Sequence, residues 1–195
     1  MTTAGPNNPT SATSNGIVGS VAWGSPTNIF SQNGTYSGFD AESSGDSERL
    51  DASGFGHSVP GGATIDGIQF DWYIREASSS DNIFDKSAFP LKAGTAVGTD
   101  QKSATEWPSA FGYRTYGGPT SLMGTTWTPS DVNNSGFGFG LQAAESVGNN
   151  INAEGRVDHV RSYVYYTTAA GSFFSVSSCS GIGCTGPKNF ARGNE

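Results

Sequence analysis

Ile68, Phe70, Trp72 and Ile74 alternate with Gln69, Asp71 and Tyr73 directly after a Pro60-Gly61-Gly62 turn. A period of two places the four large apolar side chains on one face of a β-strand. That face needs a partner layer, and two later stretches supply candidates. Phe137, Phe139, Leu141 and Ala143 alternate with Gly138, Gly140 and Gln142, while Val160, Val164 and Tyr166 share the even positions of a third run. Three amphipathic strands separated by long intervals predict an all-β, antiparallel jelly-roll-like β-sandwich.

Around this frame the pattern is weaker. Residues 1–16 are Met, Thr, Ala, Gly, Pro, Asn and Ser without charge or aromatic ring, a composition expected of a little-structured N-terminal arm. Val18, Val21 and Trp23 precede a Gly24-Ser25-Pro26 turn, and Asn33-Gly34 is the strongest short hairpin signal in the chain. Asp40–Asp51 holds five acids and one arginine and predicts a solvated loop. Residues 81–126 scatter their rings among Gly, Ser and Pro and predict short strands and long loops. Pro129 after Thr128 predicts a capped helical corner over 129–133. After Thr168 the periodicity ends. The expected organisation is therefore an arm over 1–16, a sandwich domain over 17–168, and a C-terminal arm over 169–195.

Composition supports strands over helices. Of 195 residues, 28 are glycine, 12% are aromatic and only 14% are charged. The net charge of −7 comes without any Lys/Arg stripe, so nucleic acid is not an expected partner. No apolar run approaches the roughly 20 residues of a membrane helix. Met1–Pro6 has neither the basic nor the apolar region of a secretory signal, so a cytoplasmic origin is expected. Cys179 and Cys184 sit close together in the Gly/Ser-rich tail, too few for a zinc site, with either free thiols or one small disulfide loop open to them.

Catalytic signals are thin. His159 adjoins Asp158 in a strand, where neighbours point to opposite faces, and His57 lies beside a turn; both read as structural. No Gly-x-Ser-x-Gly elbow is present, and Gly136–Gly140 alternates as a strand and lacks the lysine of a phosphate loop. Asp66, Asp71, Glu145, Glu154 and Asp158 could supply a carboxylate pair of the glycosidase kind, but among 17 acids some pair will approach by chance. Neither enzyme activity nor a cofactor or metal is expected. Trp23, Trp72 and Trp127 read as core. Trp107, Tyr113 and Tyr116 sit in the loop-rich middle; core or interface packing is the first expectation for them, and they are the candidate rings for a glycan or for an interface with a neighbouring subunit.

Four stretches also carry a resemblance: Gly19–Asn28 with Asn33-Gly34-Thr35-Tyr36, Val59–Ile74, Thr126–Leu141, and Val157-Asp158-His159-Val160 with Tyr165-Tyr166-Thr167. In that order they resemble β-sandwich virion structural or capsid-associated proteins encoded by tailed bacteriophages and prophages. The resemblance spans roughly residues 17–168 and implies a non-enzymatic role in a virion assembled in the host cytoplasm. A capsid decoration or cement protein is the first expectation, bound to the major capsid protein or other virion proteins through its arms, with Phe173, Phe174 and Phe190 as arm contacts. A homo-oligomer, taken as a trimer, follows from the threefold positions that capsid surface proteins occupy. The alternative is a tail, collar or fibre-tip module that binds host-surface glycan.

Overall fold

A computed structural model describes residues 1–41, 45–145 and 153–169. In chain order the strands are β1 (Thr2–Asn7), β2 (Ser11–Asn15), β3 (Ser37–Asp40), β4 (Arg49–Ser53), β5 (Thr64–Glu76), β6 (Ile83–Lys92), β7 (Thr95–Ala96), β8 (Gly112–Gly117), β9 (Gly138–Glu145) and β10 (Glu154–Thr167). Sheet A has the order β1-β10-β5-β8, with β3 pairing the start of β10; sheet B has the order β2-β4-β9-β6-β7. Every strand pair is antiparallel. From β4 onward the chain crosses between sheets at almost every connection, which makes the sandwich jelly-roll-like.

The alternation in the sequence explains the core. Ile68, Phe70, Trp72 and Ile74 of β5 are fully buried against Phe137 and against Phe139, Leu141 and Ala143 of β9. Ring centroids lie 5.0 Å apart for Phe70 and Phe139 and 5.4 Å apart for Phe70 and Phe137. Such offset pairs contribute about 0.5–1.5 kcal/mol each beyond area burial. Trp23, Trp72 and Trp127 are core residues, as the pattern predicts. Two glycines of β9 serve close packing: a methyl on Gly138 would strike the Ala52 carbonyl, and one on Gly140 would strike Arg49 and Asp51. The helical corner α1 (Pro129–Val132) forms where Thr128 predicts it, with Thr128 Oγ1 accepting from the Asp131 N–H and Asp131 Oδ2 accepting from the Thr128 N–H.

Three expectations change. Residues 1–16 are not an arm: β1 pairs with β10 and β2 with β4, so one short N-terminal segment closes an edge of each sheet. Composition registers the lack of apolar burial but not the hydrogen bonds that an open sheet edge offers. Asn33-Gly34 makes no hairpin; it lies between a 3-10 turn (Pro26–Phe30) and β3, where both backbone N–H groups donate to the Asp158 carboxylate at 3.3 Å. The acidic stretch is not wholly solvated either, because Arg49 and Asp51 lie in β4, buried at 8% and 9% exposure and paired with each other. Phe173, Phe174, Phe190, Cys179 and Cys184 lie outside the described residues.

Two buried polar centres tie the layers together. Asp85 of β6 has a fully buried side chain on the core side of sheet B. Its Oδ1 accepts from Trp107 Nε1 (2.8 Å) and Arg114 Nη1 (3.0 Å), and its Oδ2 from Tyr116 OH (2.8 Å) and the Ser103 N–H (2.8 Å). Arg114 and Tyr116 belong to β8, so this carboxylate bonds sheet B to the edge strand of sheet A. At the other centre, His57 Nε2 lies 2.6 Å from Ser162 Oγ of β10, and its ring packs on Phe55 and Phe137. Burial pushes the His57 pKa down to about 4 from an ordinary 6.5.

Asp85→Ala should therefore cost about 3–5 kcal/mol, because it leaves a buried guanidinium without its counter-charge; chemical denaturation that finds a loss below about 1 kcal/mol would contradict the clamp. For His57 the folded pKa is depressed, so the unfolded chain takes up a proton that the fold refuses as pH falls from 6.5 towards 4. Its stabilising contribution is complete above pH 6.5 and is lost across that window, about 3 kcal/mol in all. The difference in unfolding free energy between wild type and His57→Gln should shrink by about that amount between pH 7 and pH 4. A difference that does not change with pH would refute the assignment.

Candidate functional site

Because the even positions of β5 face the core, its odd positions face outward, and the register of sheet A lines them up with those of β10 and β8. Three rows result. His159, Tyr73 and Tyr113 lie opposite one another across β10, β5 and β8; Arg161, Asp71 and Thr115 form the next row; Tyr163, Gln69 and Gly117 form the third. A bulge between Val157 and His159 in β10 lets His159 join the outward set.

The rings form a continuous surface. Tyr73 stacks on Phe111 with centroids 5.2 Å apart and an 18° interplanar angle, and Tyr113 lies 4.8 Å from Tyr73. The Arg161 guanidinium sits 4.2 Å over the Tyr113 ring and 5.6 Å from Tyr163, and Tyr163 stacks on Tyr165. Tyr113 is 40% exposed, one of the few large rings of the described residues that is open to solvent.

Polar groups hold this surface in one arrangement. Asp71 is nearly buried and accepts from Arg161 Nε (3.0 Å), Thr115 Oγ1 (2.8 Å) and Gln69 Nε2 (2.8 Å), while Tyr165 OH donates to Gln69 Oε1 (2.9 Å). Tyr113 OH donates to Gln32 Oε1 (2.9 Å) and lies 3.0 Å from His159 Nδ1. Burial pushes the phenols of Tyr113, Tyr163 and Tyr165 up from their ordinary value, so near neutral pH they are uncharged hydroxyls that can donate and accept. His159 is pushed down by burial and then by Arg161, with Asp158 acting the other way. An aromatic sheet face edged with hydroxyls, amides and one guanidinium combines stacking area with hydrogen-bond donors and acceptors.

Of the three candidate rings, the structure leaves one at the surface. Trp107 and Tyr116 are 2% and 3% exposed, and both polar ends turn inward to Asp85, so neither can stack on a ligand. Tyr113 stays outward and is the centre of the site. Sequence reasoning missed Tyr73, Arg161, Tyr163 and Gln69, although their signal was present as the odd positions of two strands whose even positions are core. Four of the carboxylates considered for hydrolysis are engaged locally: Asp66 accepts from Thr167 Oγ1 (2.6 Å), Glu154 pairs with Arg156, Asp158 receives two backbone N–H groups, and Asp71 anchors the sheet face; the fifth, Glu145, is the last residue of β9. A separate depression of about 410 Å³ lies beside β3, lined by Gly24, Ser25, Tyr36, Gly38, Phe39, Asp40 and Glu154.

No family model matches the chain, and no curated protein matches it either. Among solved structures it is similar to one described as TmCBM61 in complex with β-1,4-galactotriose, with a TM-score of 0.39 and 10% identity over 78% of this chain and 86% of that one.

Proposed function

We propose that this chain is a non-enzymatic recognition module of a virion and that the outward face of sheet A binds a host-surface carbohydrate chain. The virion setting rests on the resemblance to phage β-sandwich proteins. The binding reading rests on one observation: Tyr113 is exposed, flanked by Tyr73 and by the Arg161 guanidinium, and surrounded by hydrogen-bonding groups that Asp71 holds still. A pyranose presents a C–H face that packs on such a ring, and its equatorial hydroxyls would meet Gln32, Gln69, Thr115 and the tyrosine hydroxyls. Pre-arrangement of these side chains keeps the ordering cost of binding small.

A capsid decoration protein is the second reading. Tyrosine and arginine are also enriched in protein–protein contacts, so the same face suits a neighbouring virion subunit. With residues 1–16 folded into the sandwich, attachment by an N-terminal arm has lost its basis, and the face becomes the surface to test for docking to the capsid.

A glycan array and a pull-down on purified particles, run with wild type and Tyr113→Ala, separate the two. Because Tyr113 is largely a surface ring, the variant should keep its unfolding free energy within about 1 kcal/mol. The proposal expects selective glycan binding by wild type and at least about a tenfold loss in the variant, near 1.4 kcal/mol. Absence of any glycan preference together with particle binding that Tyr113→Ala abolishes would replace it with the decoration reading.

A further inference from the structure

At one end of the same face, Arg75 of β5 stands directly opposite Arg156 of β10. Like charges in facing positions across a strand pair are unfavourable unless something neutralises them. Arg156 is compensated: it pairs with Glu154 and lies 4.5 Å over the Tyr36 ring. Arg75 is not. Its guanidinium lies 5.0 Å from the Phe111 ring centroid, its Nε is buried without a hydrogen-bond partner, and it forms no ion pair among the described residues. The other arginine of the face, Arg161, already has its carboxylate in Asp71. Among the described residues Arg75 is therefore the arginine of this face without a carboxylate partner, and it lies next to the Phe111–Tyr73–Tyr113 rings on which a sugar would stack.

We infer that the ligand of this face is an acidic glycan, and that Arg75 receives a carboxylate carried by one of its sugar residues. This rests on the carbohydrate reading given above and narrows it to a substrate class. A carboxylate suits the position because a guanidinium offers two parallel N–H donors at the spacing of the two oxygens, and because the Phe111 ring keeps the fork oriented. The chain's net charge of −7 opposes polyanions at long range, so the preference has to arise from contact at Arg75 and not from the general field.

The test is binding of wild type and Arg75→Gln to polygalacturonate, hyaluronan and polysialic acid, each beside its carboxyl-reduced neutral counterpart, with folding of the variant checked by thermal unfolding. Wild type should bind at least one acidic polymer about tenfold more tightly than its reduced form. In Arg75→Gln the ratio should fall to about one while affinity for the reduced polymer stays within about twofold. Equal affinity of wild type for acidic and reduced forms, or a preference that survives in Arg75→Gln, overturns the inference and leaves the carbohydrate reading standing. Failure to bind any polymer, acidic or neutral, overturns both.

Discussion

A single buried carboxylate, Asp85, sets the relation between the two sheets. Desolvating an ionised group costs several kcal/mol unless its oxygens are filled, and here four donors fill them from three parts of the chain: the Ser103 N–H, the Trp107 indole, and the guanidinium and phenol of β8. The Arg114 partner is itself mostly buried at 11% side-chain exposure, so the charge pair is shielded from salt and water. The same environment holds the Tyr116 phenol well above its ordinary pKa, first through burial and then through the neighbouring carboxylate. Each group is stable in the interior only because the others are present.

That clamp decides what the outer face looks like. β8 is an edge strand of six residues, and an edge strand with little apolar content is free to shift or roll. Turning Arg114 and Tyr116 inward to Asp85 sets its alternation, which sends Tyr113 and Thr115 outward. Asp71 then engages Thr115 and Arg161, and Arg161 lies over Tyr113. A buried ionic centre between the sheets is in this way continuous with a preorganised surface on the far side of one of them. The stability of the sandwich and the order of its outer face draw on the same strand.

How much of this was legible in the sequence depended on distance along the chain. The core of β5 and β9 could be read because period-two alternation is local, and so could the Thr128 cap, which is complete within four residues. β1 and β2 could not, since their pairing depends on β10 and β4, and their polar side chains bury little. Trp107 and Tyr116 could be read only as rings of a loop-rich stretch, open to core, interface or glycan contact; the partner that settles them inside, Asp85, lies 22 and 31 residues away in sequence. Of the three candidate rings Tyr113 alone is open to solvent, at 40% exposure. Its neighbours were half legible: Gln69, Asp71 and Tyr73 were visible as the non-core positions of a strand, but only the register with β10 places Arg161 and Tyr163 beside them and Arg156 opposite Arg75.

The proposed binding surface is the outward face of sheet A, organised by Tyr113. Titrating an isotopically labelled chain with an acidic oligosaccharide while following backbone and side-chain chemical shifts tests it most directly. Shifts that saturate with ligand and cluster at Gln69, Tyr73, Arg75, Tyr113, Arg161 and Tyr163 are the predicted result. Shifts confined to the depression lined by Tyr36, Asp40 and Glu154, or spread over sheet B, would contradict it.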